Sequence, residues 1–145
     1  MSSIEKNKEL VRRLHELWNS GEEAQIPEVF HPDFSGHWPR SSRKPERRGL
    51  PEVRAGLLNT RSAFPDWHER VVDMVAEGGR VATRYISTGT HRGEFWGIAP
   101  TGIKVTVHEM SIYRIAENRV IEQWCCIDEL DRLIQLAAVE RRSQS

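Results

Sequence analysis

Apolar residues recur with helical spacing over Ile4–Ser20. Leu10, Val11, Leu14, Leu17 and Trp18 share one face, and Glu, Lys and Arg occupy the positions between. Asn19-Ser20-Gly21 ends this segment, Gly21 being suited to a left-handed cap. Glu22–Phe30 predicts a short second helix stopped by His31-Pro32, and Asp33–Gly49 reads as irregular. Pro51, at a first-turn position, opens a third helix over Glu52–Ala63. After Phe64-Pro65-Asp66 the period changes to two. Arg70–Glu77, Gly79–Thr88, Ile103–Ile115 and Arg119–Ile127 are predicted strands of an antiparallel meander. A C-terminal helix starts at Asp128, which suits its N-cap, and a polar, flexible tail begins at about residue 140.

Helices first and strands afterwards is the α+β order, here in one domain over residues 1–145. The third predicted strand is apolar on both faces. Val105, Val107, Glu109, Ser111 and Tyr113 alternate with Thr106, His108, Met110 and Ile112. The helices cover one face, so the other is expected to meet a second copy in a sheet-to-sheet homodimer. Between two strands, Thr88–Val105 carries closely spaced turn residues around Phe95, Trp96 and Ile98. Large apolar groups in such a connection form either one wall of a ligand cavity or a packed turn with no ligand.

Composition narrows the partners. Lys+Arg and Asp+Glu are both 21 in 145 residues, so no global positive field gathers nucleic acid or an anionic membrane. The basic run Arg40–Arg48 has no interleaved aromatic residue and reads as a solvated loop. No run approaches a membrane span, and the N-terminus has no signal-peptide core, so a cytoplasmic location is expected. Cys125 and Cys126 are adjacent on a predicted strand and point to opposite faces, which suits free thiols better than a bridge. The six histidines lack metal-ligand spacing and no glycine-rich phosphate loop follows a strand, so neither metal nor cofactor is expected.

Several segments in order resemble the SnoaL-like polyketide cyclase family of the nuclear-transport-factor-2-like superfamily. They are Trp18-Asn19-Ser20-Gly21, Phe30-His31-Pro32-Asp33, Ala63-Phe64-Pro65-Asp66, Gly89-Thr90-His91-Arg92-Gly93-Glu94-Phe95, Pro100-Thr101-Gly102, and Glu122-x-Trp124-x-x-x-Asp128 before Gln135-Leu136. The resemblance implies a cone-shaped α+β barrel, with N-terminal helices packed on a curved, mostly antiparallel sheet around an internal cavity. It also implies cofactor-independent chemistry on small apolar molecules. In such cyclases an Asp on the last strand is the acid/base, helped by a His on the neighbouring strand. The alignment puts these at Cys125 and Ser111, so neither ionisable group is present.

Other residues must then carry any proton transfer. Glu109, two residues before Ser111, shares the cavity face, where burial raises a carboxyl towards a useful pKa; its alternatives are a place at the rim or a pair with Arg84 or Arg114. His91 starts the central loop, as catalyst or loop cap. His108 falls on the opposite face unless a bulge reverses it. His37, Trp38, Arg84, Trp96, Ser111, Gln123 and Cys125 complete the expected substrate-binding set. The leading expectation is acid/base cyclisation or isomerisation of a polyketide-like or terpenoid substrate. A hydroxylase acting on an aromatic polyketide, and a non-catalytic binding domain, remain alternatives.

Overall fold

A computed structural model describes residues 2–39 and 46–138. The first residues of the basic run, 40–45, and the tail from about 140 lie outside the described residues.

Helix α1 spans Ser3–Ser20. The Ser2 hydroxyl accepts the Glu5 N–H at its start, and at its end Gly21, at φ 73°, donates its N–H to Leu17. Its buried face carries Leu10, Val11, Leu14 and Leu17, and also His15. A 3₁₀ turn at Glu23–Gln25 and a single turn α2, Ile26–Val29, form the second helical segment. Strand β1 (Phe30–His37) follows, then β2 (Glu46–Arg48) and α3 (Leu50–Ala63). Strands β3 (His68–Glu77), β4 (Arg80–Thr90), β5 (Lys104–Ala116) and β6 (Arg119–Ile127) precede α4 (Glu129–Gln135). Asp128 caps α4 by accepting the Asp131 N–H at 3.1 Å.

The six strands lie in the order β2-β1-β6-β5-β4-β3. All pairings are antiparallel except β1 with β6, and β2 and β3 remain as edges, so the sheet does not close. The fold is α+β, as expected. Asp33–Gly49 departs from its irregular reading. His31-Pro32 does stop the helix, but the chain runs on as β1, and the β1–β6 register shifts between Phe30 and Ser35, where Pro32 has no N–H to give. The basic run is likewise not all solvated loop: Arg47, in β2, is buried against Glu52 at 3.0 Å and lies over the Trp38 ring.

Two apolar clusters fill the space between helices and sheet. One joins α1, α2, β1 and α3 to Val81, Tyr113 and Val120. The other joins Ala63, Phe64 and Trp67 to Val105, Val107 and Leu136. Strand β5 alternates without interruption along its described pairing with β4. Val105, Val107, Glu109, Ser111 and Tyr113 are buried, while Thr106, His108, Met110 and Ile112 are exposed.

Candidate active site

Between the two clusters lies a cavity of about 500 Å³, walled by α1, α3, the inner face of β3–β6, α4 and the loop after β4. Aromatic rings line it beside polar groups, among them Trp18, Trp38, Phe64, Trp67, Phe95 and Tyr85. Trp38 is seated against Gly56 of α3, where any Cβ would collide with the indole ring. The space for that ring is made by the absence of a side chain. In the loop, Trp96 and Gly97 take positive φ (55° and 73°), making the tight turn that brings Phe95 opposite Ile98. Phe95 thereby packs on Phe64 with the Arg132 guanidinium 4.3 Å from its ring centre, and Trp96, partly exposed, stands at the cavity edge.

Glu109 projects into this space from β5 and is 7% exposed. Ser87 Oγ donates to its Oε2 at 2.5 Å, and the Cys125 thiol to its Oε1 at 3.8 Å. Burial pushes its pKa up to about 8, and the charge of Glu69 adds to the effect. The Ser87 hydroxyl and the Arg132 guanidinium pull the other way and lose. Glu109 therefore holds a proton at neutral pH. Burial also raises the Cys125 thiol, with the Glu109 charge beside it, so this cysteine is a neutral thiol rather than a nucleophile.

A line of hydrogen bonds runs along the same wall. Trp38 Nε1 donates to Gln123 Oε1 at 3.0 Å, and Gln123 Nε2 donates to Ser111 Oγ at 3.2 Å. The Ser111 hydroxyl lies 2.9 Å from Tyr85 OH, itself 3.5 Å from Cys125 Sγ. Ser111 and Cys125, where the resemblance puts the cyclase His and Asp, are register partners across β5 and β6.

A second acidic group faces the cavity from β3. Glu69 is 9% exposed. Its Oε1 is 2.8 Å from His15 Nδ1, and its Oε2 accepts Trp67 Nε1–H at 3.0 Å. His15 Nε2 lies 3.1 Å from Thr83 Oγ1 and 3.2 Å from Tyr113 OH. The readable signals were His15 on the apolar stripe of the first helix and the inward period of two continued back from Val71 through Glu69 to Trp67.

Of the residues singled out in the sequence, Glu109, Trp38, Trp96, Gln123 and Cys125 line the cavity, with Ser111 bonded behind them. Glu109 has neither Arg84 nor Arg114 as partner. Arg84 points to the outer face and pairs with Asp73 at 2.7 Å, and Arg114 pairs with Glu122. His108 is exposed on that same outer face, because no bulge interrupts β5 there. His37 is outside as well, bonded to Glu122 at 2.9 Å and stacked on Trp124. His91 is fully buried behind the cavity lining, where its Nδ1 accepts the Thr101 N–H and caps the loop. Arg84, His108, His37 and His91 do not meet Glu109 in the cavity. Among the described residues, no group of three or more His, Cys, Asp or Glu side chains is placed to hold a metal ion, and no helix is long and apolar enough to cross a membrane.

Residues 8–136 match the family model of the SnoaL-like polyketide cyclases. The chain belongs to that family. IdmH of Streptomyces antibioticus, proposed to be a polyketide cyclase, is 30% identical to this SnoaL-like chain, with a TM-score of 0.80 over 90% of this chain and 98% of its own. AclR of Streptomyces galilaeus, proposed to be a hydroxylase, is 28% identical, with a TM-score of 0.83 over 98% of this chain and 87% of its own. A protein of Jannaschia, 24% identical, gives a TM-score of 0.85 over 97% and 98% of the two chains and supports the fold. No curated protein matches the chain.

Proposed function

We propose that this SnoaL-like protein is an acid–base enzyme that cyclises or isomerises a polyketide-like or terpenoid substrate, with Glu109 as its proton donor near neutral pH. One observation carries the reading: a buried carboxyl group, its pKa raised to about 8 by desolvation, faces a cavity lined in part by aromatic rings. A cavity of about 500 Å³ lies within the range of small-molecule sites, and the rings favour a flat, apolar or aromatic substrate. The chemistry requires neither metal nor organic cofactor.

The test is Glu109→Gln, which keeps shape and hydrogen bonding but cannot give up a proton. Assayed with polyketide ketones, kcat should fall about a hundredfold or more, the usual worth of a positioned acid. A proton donor works below its pKa, so wild-type activity should fall as pH rises through about 8. The variant should lose that alkaline limb. A native kcat with an unchanged profile would exclude Glu109.

The likeness to AclR supports a second reading, hydroxylation of an electron-rich aromatic polyketide that itself activates oxygen. Oxygen uptake with a reduced quinone-like substrate would favour it, and turnover without oxygen would favour the first. In either case we propose that two copies meet through the outer face of the sheet, where Met110 and Ile112 are exposed.

A further inference from the structure

Two carboxyl groups face one cavity from different strands, and their surroundings are opposite in kind. Glu109 has a hydroxyl and a thiol for neighbours. Glu69 has an imidazole on one oxygen and an indole N–H on the other. An indole nitrogen can only donate, which fixes Glu69 Oε2 as an acceptor. The imidazole completes the arrangement when Nδ1 carries its proton towards Oε1 and Nε2 accepts from Tyr113 OH. In that tautomer both Glu69 oxygens accept an N–H. The main chain of Glu69 is clamped as well: its N–H donates to Asn19 Oδ1 at 2.6 Å and its carbonyl accepts from Asn19 Nδ2 at 3.1 Å.

We propose that Glu69 is the proton-abstracting base of this site, working against Glu109 as the acid on a flat ketone or another compound with a weakly acidic C–H bond. The proposal rests on the acid–base reading above. Each Glu69 oxygen keeps a second lone pair for a substrate proton. In the step, Glu69 takes the proton from the carbon next to a carbonyl, and the C–H electron pair becomes the C=C bond of an enol. The carbonyl π pair simultaneously takes the Glu109 proton. The carboxyls thus exchange protonation states, and no electron leaves the substrate. Where the ketone carries a neighbouring C=C bond, so that the enol is a dienol, return of the Glu69 proton to the far carbon, while Glu109 recovers its own from the enol oxygen, completes an isomerisation. Attack of the enol carbon on a second carbonyl, whose oxygen takes the Glu69 proton as its π pair is displaced, while the enol oxygen returns its proton to Glu109, completes a cyclisation. A carboxyl against an indole N–H and an imidazole on β3, and one beside a hydroxyl and a thiol on β5, supply the unlike surroundings such paired transfer needs. The other titratable or charged groups around the pair are His15 on α1, Tyr85 on β4, Tyr113 on β5, Cys125 on β6, and Arg132 and Glu129 on α4.

The alternative is a strut, with Glu69 merely tying α1 to β3. 5-Nitrobenzisoxazole, a flat aromatic probe, separates the two. A base removes its ring proton, the C–H pair becomes part of a nitrile, and the N–O bond breaks to a phenolate that an acid can protonate. Wild type should eliminate this probe, and Glu69→Gln should lower kcat about a hundredfold. Glu69→Asp keeps the charge but withdraws it by one methylene, so it should lower kcat less and leave KM near native. Side-chain ¹³C titration of Glu109 in Glu69→Gln provides the folded-state check: its pKa should drop from about 8, because the Glu69 charge that raises it is gone. Loss of elimination in Glu69→Gln with native rates in Glu109→Gln would sustain the base, since the nitrophenolate leaves without an acid. Loss in Glu109→Gln alone would overturn Glu69 while leaving Glu109 in place. No elimination by wild type above that of free acetate, native kcat in both Glu69 variants, or an unmoved Glu109 titration would each overturn the proposal.

Discussion

The two faces of β5 invert the usual order of a sheet with one wet side. Its buried face carries Glu109 and Ser111 among Val105, Val107 and Tyr113, and its exposed face carries Met110 and Ile112 beside Thr106 and His108. Burying a carboxyl costs free energy unless partners or a proton compensate. Exposing large apolar side chains forgoes roughly 1.5–3 kcal/mol for each one that could be fully buried. A fold selected for stability alone would exchange the two sets. On the proposed reading the inner face keeps its cost because a proton is held there, and the outer face gains when a second copy covers it.

The largest effect expected from breaking this contrast is thermodynamic. Glu109 has a folded pKa of about 8, raised above its ordinary value of 4.5. Sign follows from linkage: the folded protein keeps the proton after the unfolded chain has released it, so this group's stabilising contribution is full below about pH 4.5. It declines as pH rises and is lost by about pH 8. Glu109→Gln removes the titration. Urea unfolding across this range should give a flatter stability profile in the variant, with a gain of up to several kcal/mol over wild type near pH 8. Parallel profiles would show that Glu109 is solvated rather than held in the cavity. The buried polar wall would then no longer stand against the exposed apolar one.

The outer face gives the next test. Sedimentation of wild type at micromolar concentration should give about twice the chain mass, in the size class of stable homodimers. Met110→Glu with Ile112→Glu places four like charges across a symmetric contact and should yield monomer. Because both positions point away from the cavity, the Glu109 titration should stay near its wild-type midpoint. A wild-type monomer would leave the exposed apolar groups without the proposed partner.

What could be read in the chain follows from the same alternation. A period of two through a long strand is robust, so β6 was bounded at Arg119–Ile127 and both faces of β5 were assigned. Strands β1 and β2 were missed because Pro32 and Gly36 interrupt any pattern, and the pairing that makes β1 a strand comes from β6, nearly ninety residues on. The site divides the same way. Glu109 was legible from its spacing to Ser111 along one strand. The His15–Glu69 contact joins residues 54 apart in sequence on different elements, and neither strand nor helix periodicity expresses that distance. Residue type alone does not give the face of His37 or Arg84: both are bonded to carboxyl groups on the outer surface, Glu122 and Asp73.

The smallest expected effects come from outer-face residues that resembled site residues by type alone. His108 sits between Val107 and Glu109 in sequence, yet strand alternation turns it away from both. Its register partner on β4 is Ile86, and no shift occurs between those strands. His108→Ala should therefore leave kcat within about twofold and, in the Met110→Glu/Ile112→Glu monomer, stability within about 0.5 kcal/mol, as is usual for surface positions away from special features. Arg84→Ala should do nearly the same, because its pair with Asp73 is exposed and pairs of that kind contribute about 0–1 kcal/mol. Stopped-flow or steady-state assays beside urea unfolding would measure both quantities in one series. A drop of tenfold or more in kcat for His108→Ala, with stability unchanged, would mean that this side chain reaches a reacting atom. The register of β5 would then be off by one, Glu109 would face outwards, and the contrast between the two faces would be reversed.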